Sequence, residues 1–436
     1  MELTPKEVVK YLDEYIIGQK NAKKTIAIAL RNRYRRLKLS KEWQDDITPK
    51  NILMIGSTGV GKTEIARRIA KMIKVPFVKV EASKYTEVGF VGRDVESMIR
   101  DLVYNSVNLV KEELKESNKE KIEDFVLTEI TKKILPALPV NASETKKAEY
   151  DITFNKMKER VKNGDMDNNK IKIELEDIQE DNPNLPPEML KAQEHLSKIF
   201  NAFNKKETKE VTIKEAKELL KEQATHKVLN QEQIKIEALK RAENGIVFID
   251  EIDKVATSSS HRQDPSKEGV QRDLLPIVEG SVVNTKYGNV NTDHILFIAA
   301  GAFHLSKPSD LIPELQGRFP LRVELDSLDE EALYKILTEP KHSLIKQYQK
   351  LLEVEGVELK FKEEALRAMA KNAYLANEKT EDIGARRLHT ITEKVLEEIN
   401  FEADEHSGEV YEITAEYVEE KLGTIIESED SAKYIL

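Results

Sequence analysis

The chain has no cysteine among its 436 residues. Disulfide bonds and thiolate metal sites are therefore excluded, and the composition fits a reducing compartment, which favours the cytoplasm. The 8 histidines are scattered, and no two of them have the spacing of metal ligands. We therefore expect neither a disulfide scaffold nor a zinc module.

Long hydrophobic runs are also missing. No segment approaches the length of about 20 apolar residues that a membrane-spanning helix needs. The first ten residues, MELTPKEVVK, mix acids and bases and contain no apolar core of a signal peptide. We therefore expect no membrane association.

The chain also lacks an excess of basic residues, because its net charge is −10. A general nucleic-acid-binding protein usually carries a basic face, so the acidic balance argues against one. The local exception is RNRYRR at Arg31–Arg36. We interpret it as a helix surface or a subunit contact rather than a nucleic-acid patch.

Alternation of apolar strands with helical segments is the main pattern that is present. The length suggests roughly two to four domains. Thr4-Pro5 predicts a helix start, and Gly18 separates that helix from a second one that runs to about Leu39. Alternating strands and helices favour a parallel α/β sheet. Predicted strands lie at 51–55, 75–80, from 246, at 294–299, from 322 and near 409–414.

The amino-acid composition changes between residues 108 and 233, where Lys, Glu and Asn dominate. We interpret this stretch as an inserted, mostly helical domain with a possible strand from Lys170; a disordered linker is the alternative. The Ser-rich stretch TSSSHRQDPSKEG from Thr257 is predicted to be a flexible loop. The predicted domains are 1–107 and 236–327 (one nucleotide-binding domain), 108–235 (the insertion) and 328–436 (a C-terminal domain).

A phosphate-binding loop, GSTGVGKT, begins at Gly56 between a predicted strand and a predicted helix. Its glycines let backbone N–H groups converge on phosphate oxygens, and the helix N-terminus adds positive potential. Lys62 is expected to reach the β- and γ-phosphates, and the Thr63 hydroxyl to bind Mg²⁺. The sequence therefore predicts a nucleotide site.

An acidic strand end, IVFIDE, is the second part of this site. Four apolar residues carry Asp250 and Glu251 to the end of a strand. We expect Asp250 to hold the Mg²⁺ water shell, and Glu251 to orient and deprotonate the attacking water. Together with the phosphate loop, the pair predicts hydrolysis rather than binding alone.

Two arginines and a small loop are further candidates. Arg318 in PELQGRFP and Arg386 in GARRL could neutralise charge that builds during phosphoryl transfer, although by spacing alone either could be an ordinary salt-bridge arginine. The loop Gly89–Gly92 (GFVG) carries a central aromatic between glycines, which is typical of a projecting loop or of a buried Phe in a turn. No protease site is predicted in this chain.

These segments together resemble the HslU family, also called ClpY, the AAA+ ATPases and unfoldases of the bacterial HslUV protease. The resemblance rests on GSTGVGKTEIARR, EVGFVGRDVES, GIVFIDEIDK, KEGVQRDLLPIVEG, KPSDLIPELQGRFP and IGARRLHT, and it runs from Thr4 to Leu436. It implies an AAA+ P-loop NTPase fold with a parallel-sheet core, a helical insertion (I) domain and a mixed α/β C-terminal domain. It also implies a homohexamer that unfolds protein substrates for a separate peptidase ring, HslV.

The resemblance further implies roles for individual residues, with ATP and Mg²⁺ as cofactors. Arg318 would act on the nucleotide of a neighbouring subunit, and Glu251 would be catalytic. Thr63 and Asp250 would serve the metal. The implied nucleotide contacts are Ile17, Gly59, Val60, Gly61, Lys62, Thr63, Glu64, Asp250, Glu314 and Arg386. The implied substrate-gripping loop is Gly89, Phe90, Val91 and Gly92, and the implied peptidase-docking tail is Tyr434, Ile435 and Leu436.

Two positions depart from the family pattern. Ser57 stands where the family usually has Pro, and Phe90 where it usually has Tyr; neither change removes an expected contact. A stand-alone remodelling ATPase without a peptidase is an alternative, but a ClpX-like chain would be expected to carry a four-cysteine zinc module. A nucleotide-gated scaffold is opposed by the intact Glu251, and a nucleic-acid motor by the acidic balance.

Overall fold

The computed structural model describes residues 3–47, 50–86, 93–136, 138–139, 143–175, 207–256 and 265–426. The predicted loop Gly89–Gly92 and the tail Tyr434–Leu436 lie outside these ranges. Two compact units are present, one formed by residues 1–98, 244–281 and 291–436, the other by 99–243 and 282–290. The four domain boundaries expected from the sequence stay a prediction.

The helices and strands are numbered in chain order. The strands are β1 (Ile52–Ile55), β2 (Phe77–Glu81), β3 (Lys170–Leu175), β4 (Glu207–Thr212), β5 (Ile246–Asp250), β6 (Val282–Thr285), β7 (Gly288–Asn291), β8 (Leu296–Gly301), β9 (Leu321–Glu324), β10 (Glu358–Phe361) and β11 (Val410–Ile413). The helices are α1 (Pro5–Asp13), α2 (Lys20–Leu37), α3 (Lys41–Asp46), α4 (Lys62–Ile73), α5 (Ser97–Ser117), α6 (Lys119–Ile134), α7 (Glu144–Lys162), α8 (Ile213–Val228), α9 (Gln231–Ala242), α10 (Pro265–Glu279), α11 (Pro313–Arg318), α12 (Glu330–Thr338), α13 (Leu344–Glu353), α14 (Glu363–Lys379), α15 (Arg386–Phe401) and α16 (Ala415–Ile426).

A five-stranded parallel sheet forms the centre of the first unit, in the order β2-β5-β8-β1-β9. All six residues of β8 are buried, and β5 is buried up to its last residue, Asp250. Strands covered on both faces need continuous apolar runs, which is why these segments do not alternate. The parallel α/β sheet predicted from the sequence is confirmed.

Local sequence explains the helices that flank this sheet at its N-terminal side. Thr4 caps α1 through a reciprocal pair of hydrogen bonds with Glu7, and Pro5 occupies the first turn. Gly18 and Gln19 then adopt left-handed backbone, which separates α1 from α2 as predicted. In α4, Ile65, Ala66, Ile69 and Ala70 are buried on one helix face, so the phosphate-loop helix packs on the sheet.

The C-terminal part of the first unit has its own apolar core. It is built from α12 to α16 and the parallel pair β10–β11. Strand β11 confirms the late strand predicted near 409–414. Central buried residues are Leu333, Met369, Ile391, Val395 and Leu422.

The second unit contains α6 to α9, most of α5, and an antiparallel pair in which Lys170 of β3 lies opposite Thr212 of β4. Strand β3 confirms the possible strand from Lys170, whereas β4 was not predicted. Its sequence, ETKEVT, is too polar to signal a strand without its partner. The apolar core of this pair and its helices includes Ile130, Val161, Ile173, Ile213 and Ala224.

One loop prediction is wrong in part. The Ser-rich stretch was expected to extend to Gly269, but Pro265–Gly269 form the first turns of α10; residues 257–264 lie outside the described ranges. Proline is favoured in a first helical turn, where its missing N–H costs nothing. Burial of Val270, Leu274 and Ile277 then stabilises the helix.

None of the helices in the described ranges is both long and apolar enough to cross a membrane.

Candidate nucleotide-hydrolysing site

The phosphate loop connects the end of β1 to the start of α4, in the middle of the parallel sheet. Gly59 and Gly61 have φ values of +78° and +105°, which other residues rarely adopt. The Lys62 ammonium lies inside the loop, where it donates to the carbonyls of Gly56 and Ser57, the latter at 2.7 Å. The loop therefore holds the Lys62 ammonium beside a glycine-rich backbone whose N–H groups can point toward a phosphate.

The electrostatic surroundings of Lys62 identify its neighbours. Burial lowers the pKa of Lys62, the carboxylates of Asp250 and Asp253 oppose that shift, and the positive charge of Arg386 adds to it. The structure thus brings Asp250 and Arg386 within electrostatic reach of Lys62, although the three residues lie far apart in the chain.

Asp250 ends β5 next to the phosphate loop. Its Oδ2 lies 3.5 Å from the Thr63 hydroxyl, which donates to it, and 2.9 Å from the Lys79 ammonium of β2. One carboxylate oxygen therefore faces a hydroxyl and a cation at once. The structure therefore brings together two of the residues that the sequence singled out, Thr63 and Asp250.

Glu251 follows Asp250 in left-handed backbone, with φ of +56°. This conformation is uncommon for a residue with a side chain, and it turns the exposed Glu251 away from the strand direction. The Ser83 hydroxyl donates to Oε2 of Glu251 at 2.9 Å. A carboxylate is thus held next to Asp250 and is accessible to water.

A turn before α15 packs directly on the phosphate loop. The Ala385 N–H donates to the Gly59 carbonyl at 3.2 Å. A Cβ on Gly59 would lie 2.0 Å from the Ile383 carbonyl oxygen, and a Cβ on Gly384 would lie 2.6 Å from the Thr58 carbonyl oxygen. Only glycine fits at these two positions, and Arg386 begins α15 immediately after this contact.

Glu64 is held by two neighbouring arginines of α4. Burial raises the pKa of Glu64, but hydrogen bonds from Arg67 and Arg68 outweigh burial, so the pKa lies below its ordinary value. Arg68 bonds the carboxylate at 2.6 Å and also stacks on the Tyr15 ring at 3.9 Å. This arrangement ties the start of α4 to the segment that carries Ile17.

Ile17 itself is half-buried and lines a cavity of about 1030 Å³ with residues of α1, α2 and α12. The preceding residue, Ile16, has its Cγ2 3.9 Å from where a Cβ on Gly61 would lie. Among the described residues that line this cavity, none belongs to the phosphate loop. Ile16 also lines this cavity, so the wall that Ile17 shares comes close to Gly61 of the phosphate loop.

Arg318 lies at the opposite edge of the sheet from the phosphate loop. Asn51, which directly precedes β1 and is 4% exposed, donates to the Arg318 carbonyl at 3.1 Å. The Arg318 side chain is 43% exposed and bonds Glu279 at 2.9 Å. Since the loop leaves the far end of β1, about 16 Å of extended chain separates Asn51 from Gly56. Glu314 is exposed on the same short helix, α11.

Some neighbours of the site were not predicted. Lys79 and Ser83 contact Asp250 and Glu251, but a lysine in an alternating strand and a serine after it are ordinary surface residues in sequence. Contact across parallel strands is the only signal that would reveal them. Within the described ranges, no cluster of three or more metal-ligating side chains is present.

The basic segment Arg31–Arg36 contributes to structure. Arg31 donates to the Leu3 carbonyl at 3.2 Å, and Arg36 contacts the His294 ring at 2.9 Å. Arginines engaged in such contacts support the interpretation of a helix surface over a nucleic-acid patch.

Three family models match the chain. Residues 52–134 match the ATPase family associated with various cellular activities (AAA), and residues 176–322 match the AAA domain (Cdc48 subfamily). Residues 328–403 match the C-terminal, D2-small domain of ClpB protein. The parallel sheet, its phosphate loop and the acidic end of β5, taken with these matches, define an ATPase of the AAA class with a P-loop.

Comparison with full-length relatives identifies the family within the AAA class. The chain is 64% identical over 440 residues to the ATP-dependent protease ATPase subunit HslU of Campylobacter jejuni subsp. jejuni serotype O:2, covering 100% of both chains. It is 64% identical over 441 residues to the protein of the same name from Helicobacter pylori, covering 100% of this chain and 99% of that one. The chain belongs to the HslU family.

Proposed function

We propose that this ATPase works as a ring of identical subunits that unfolds protein substrates and passes them to a separate peptidase. The observation that carries the ATP-hydrolysing part of the proposal is the placement of Asp250 3.5 Å from Thr63, with Glu251 beside it at the end of β5. Relatives that match the whole chain are named as the ATPase subunit of an ATP-dependent protease, which supports the peptidase partner.

The phosphate loop is proposed to hold ATP through backbone N–H groups from Gly59 to Glu64 and through the Lys62 ammonium. Thr63 and Asp250 fit Mg²⁺, because both offer the hard oxygen ligands that this ion prefers. The Lys79 ammonium already lies 2.9 Å from Asp250 Oδ2, so a positive charge is compatible with this position. Bound Mg²⁺ would neutralise charge that develops on the phosphate oxygens.

Glu251 is the proposed general base. It would accept a proton from the attacking water as the water oxygen bonds to the terminal phosphorus and the bond to the bridging oxygen breaks. Its exposed carboxylate, next to Asp250, is suited to orient a water molecule. Arg386 would contact the same nucleotide from the C-terminal part of the chain.

Arg318 is proposed to act on the nucleotide of a neighbouring subunit. Its backbone is bonded to Asn51 at the edge where the central strands begin, whereas the chain's own phosphate loop lies where β1 ends. An exposed arginine at that edge is available to another copy. This supports an oligomer in which each site is shared, and we propose a homohexamer; Glu314, on the same helix, would join the shared site.

The loop Gly89–Gly92 is proposed to grip the substrate polypeptide, and the tail Tyr434–Leu436 to dock on the peptidase. The proposed location is the cytoplasm, which cell fractionation would test.

For the tail, removal of residues 434–436 should abolish activation of the peptidase while ATP hydrolysis by the isolated chain continues. Replacement of the exposed surface residue Val354 by Ser is the control, and full peptidase activation by the shortened chain would refute the docking role.

The hydrolytic role is tested by Glu251→Gln. We expect ATP to bind with nearly unchanged affinity and phosphate release to fall by about a hundredfold or more. Glu324→Gln, which changes an exposed carboxylate at the end of β9, the strand beside β1, is the matched control and should hydrolyse ATP normally. Normal phosphate release by the Glu251→Gln chain would exclude Glu251 as the base.

A further inference from the structure

The two adjacent arginines of the segment GARRL have opposite surroundings. Arg386 is exposed and lies close enough to Lys62 to affect its pKa. Arg387 is only 3% exposed. Burial lowers the pKa of Arg387, and the nearby carboxylates of Asp382 and Glu381 oppose that shift. A buried guanidinium is costly unless its donors are satisfied, so its hydrogen bonds show what it does.

Arg387 bonds to the turn that precedes its own helix. One terminal nitrogen, Nη2, donates to the Thr380 hydroxyl and to the Glu381 carbonyl, both at 2.8 Å. Nε donates to Oδ1 of Asn377 at 3.2 Å. The guanidinium therefore bonds the last turn of α14 and two residues of the segment that links α14 to α15, a geometry that a lysine ammonium cannot reproduce.

Asn377 completes the clamp from the end of α14. Its Oδ1 also accepts the Ile383 N–H at 3.3 Å, and its Nδ2 donates to the Gly384 carbonyl at 3.1 Å. One amide side chain thus satisfies the backbone on both sides of the bond between Ile383 and Gly384. These contacts fix the orientation of the two peptide units that flank this bond, Asp382–Ile383 and Gly384–Ala385.

The turn that these bonds hold is also the one that packs on the phosphate loop. The Ile383 carbonyl lies where a side chain on Gly59 would be, and Ala385 donates to the Gly59 carbonyl at 3.2 Å. The turn before α15 therefore contacts Arg387 on one side and the phosphate loop on the other. Any rotation of this turn would shift the start of α15, which carries Arg386, relative to the loop.

We propose that Arg387, together with Asn377, is a positioning residue that fixes Arg386 against the phosphate loop and so tunes nucleotide affinity. This rests on the proposed function, in which Arg386 contacts the nucleotide. Arg387 does not touch the nucleotide; it acts through the turn Thr380–Gly384.

The test compares Arg386→Ala, Arg387→Lys and the double variant in the full-length chain. ATP affinity is measured with a fluorescent ATP analogue, and the melting temperature is measured without nucleotide. Arg387→Lys should weaken ATP binding about tenfold, because the lysine loses at least two of the three clamping bonds. The double variant should bind no more weakly than Arg386→Ala alone, because Arg387 acts through Arg386.

Two further variants keep the outcome clear. Thr380→Val removes one clamping bond and should weaken ATP binding about two- to fivefold even if Arg387→Lys folds poorly. Arg367→Lys changes an exposed arginine of α14 that pairs with Glu363, and it should leave ATP affinity unchanged.

Additive losses in the double variant would show that Arg387 merely stabilises the C-terminal part, and they would overturn the proposal. Unchanged ATP affinity in both Arg387→Lys and Thr380→Val would also overturn it. Failure of the proposed function has a different signature, since Arg386→Ala would then bind ATP with unchanged affinity whatever the Arg387 variants do.

Discussion

The Thr63 hydroxyl lies 3.5 Å from Oδ2 of Asp250, although 187 residues separate the two in the chain. Strands β1 and β5 are both parallel neighbours of β8, so the residues that follow them meet at one edge of the sheet. Parallel pairing therefore assembles the proposed metal site from distant segments, and each side can be tested separately.

Replacement of Thr63 by Val should remove the hydroxyl from this site with little change in side-chain volume. We expect ATP hydrolysis to fall by about a hundredfold and the Mg²⁺ concentration for half-maximal activity to rise, because one hard ligand is lost. A Mg²⁺ titration of phosphate release measures both. Thr63→Ser keeps the hydroxyl and should retain most activity; equal loss in the Ser and Val variants would contradict the ligand role.

Mixed oligomers test whether the site is shared. Subunits with Arg318→Ala and subunits with Glu251→Gln should each be inactive alone, because one lacks the arginine and the other the base. In an equal mixture, roughly a quarter of head-to-tail interfaces should combine an intact Glu251 with a neighbour's intact Arg318. Recovered phosphate release after mixing is the expected result, and a mixture as inactive as its components would argue that Arg318 serves no neighbour.

Phe90 should matter for substrate and not for ATP. Replacement by Ala removes the ring that is proposed to grip the polypeptide. We expect ATPase activity to stay within about twofold and degradation of a folded substrate, with the peptidase present, to fall by at least about tenfold. Phe90→Tyr restores the ring with a hydroxyl and should degrade normally. Unimpaired degradation by the Ala variant would remove the gripping role.

Glu64 offers a prediction about pH. Its folded-state pKa lies below the ordinary value of 4.5, so its carboxylate stabilises the fold above that pH and loses this effect as pH falls through the lowered pKa. Glu64→Gln should lower the free energy of unfolding by about 0.5–1 kcal/mol near pH 7. The difference from the parent chain should shrink below pH 4.5, as nucleotide-free unfolding curves would show. A difference that is independent of pH would contradict the assigned ion pairs.

Local sequence was sufficient for the parts of the site that one segment builds. Gly59, Gly61 and Lys62 owe their conformation to a strand, a tight loop and a helix start, all of which leave a pattern in adjacent residues. The acidic end of β5 is likewise visible because a buried strand needs an apolar run before Asp250. These features were predictable because the energy that specifies them is local.

Other features depend on partners that are distant in the chain. The Asn377–Arg387 clamp could not be predicted, since a second arginine on a helix is usually exposed and only the packed turn reveals its burial. Strand β4 and the hairpin β6–β7 were missed for a similar reason, because short polar strands are stabilised by the strand opposite them. The helical start at Pro265 was obscured by the serines before it.

Because Asn51 ties Arg318 to the edge where the central strands begin, a newly synthesised chain holds this arginine at the opposite edge of the sheet from its own phosphate loop. On that proposal, a solitary subunit can hold ATP without consuming it at the full rate. Unassembled subunits would then hydrolyse little ATP. Hydrolysis at the full rate would start only when a neighbouring subunit supplies its Arg318. The buried Asn51, directly before β1, would thereby help to make ATP hydrolysis depend on assembly.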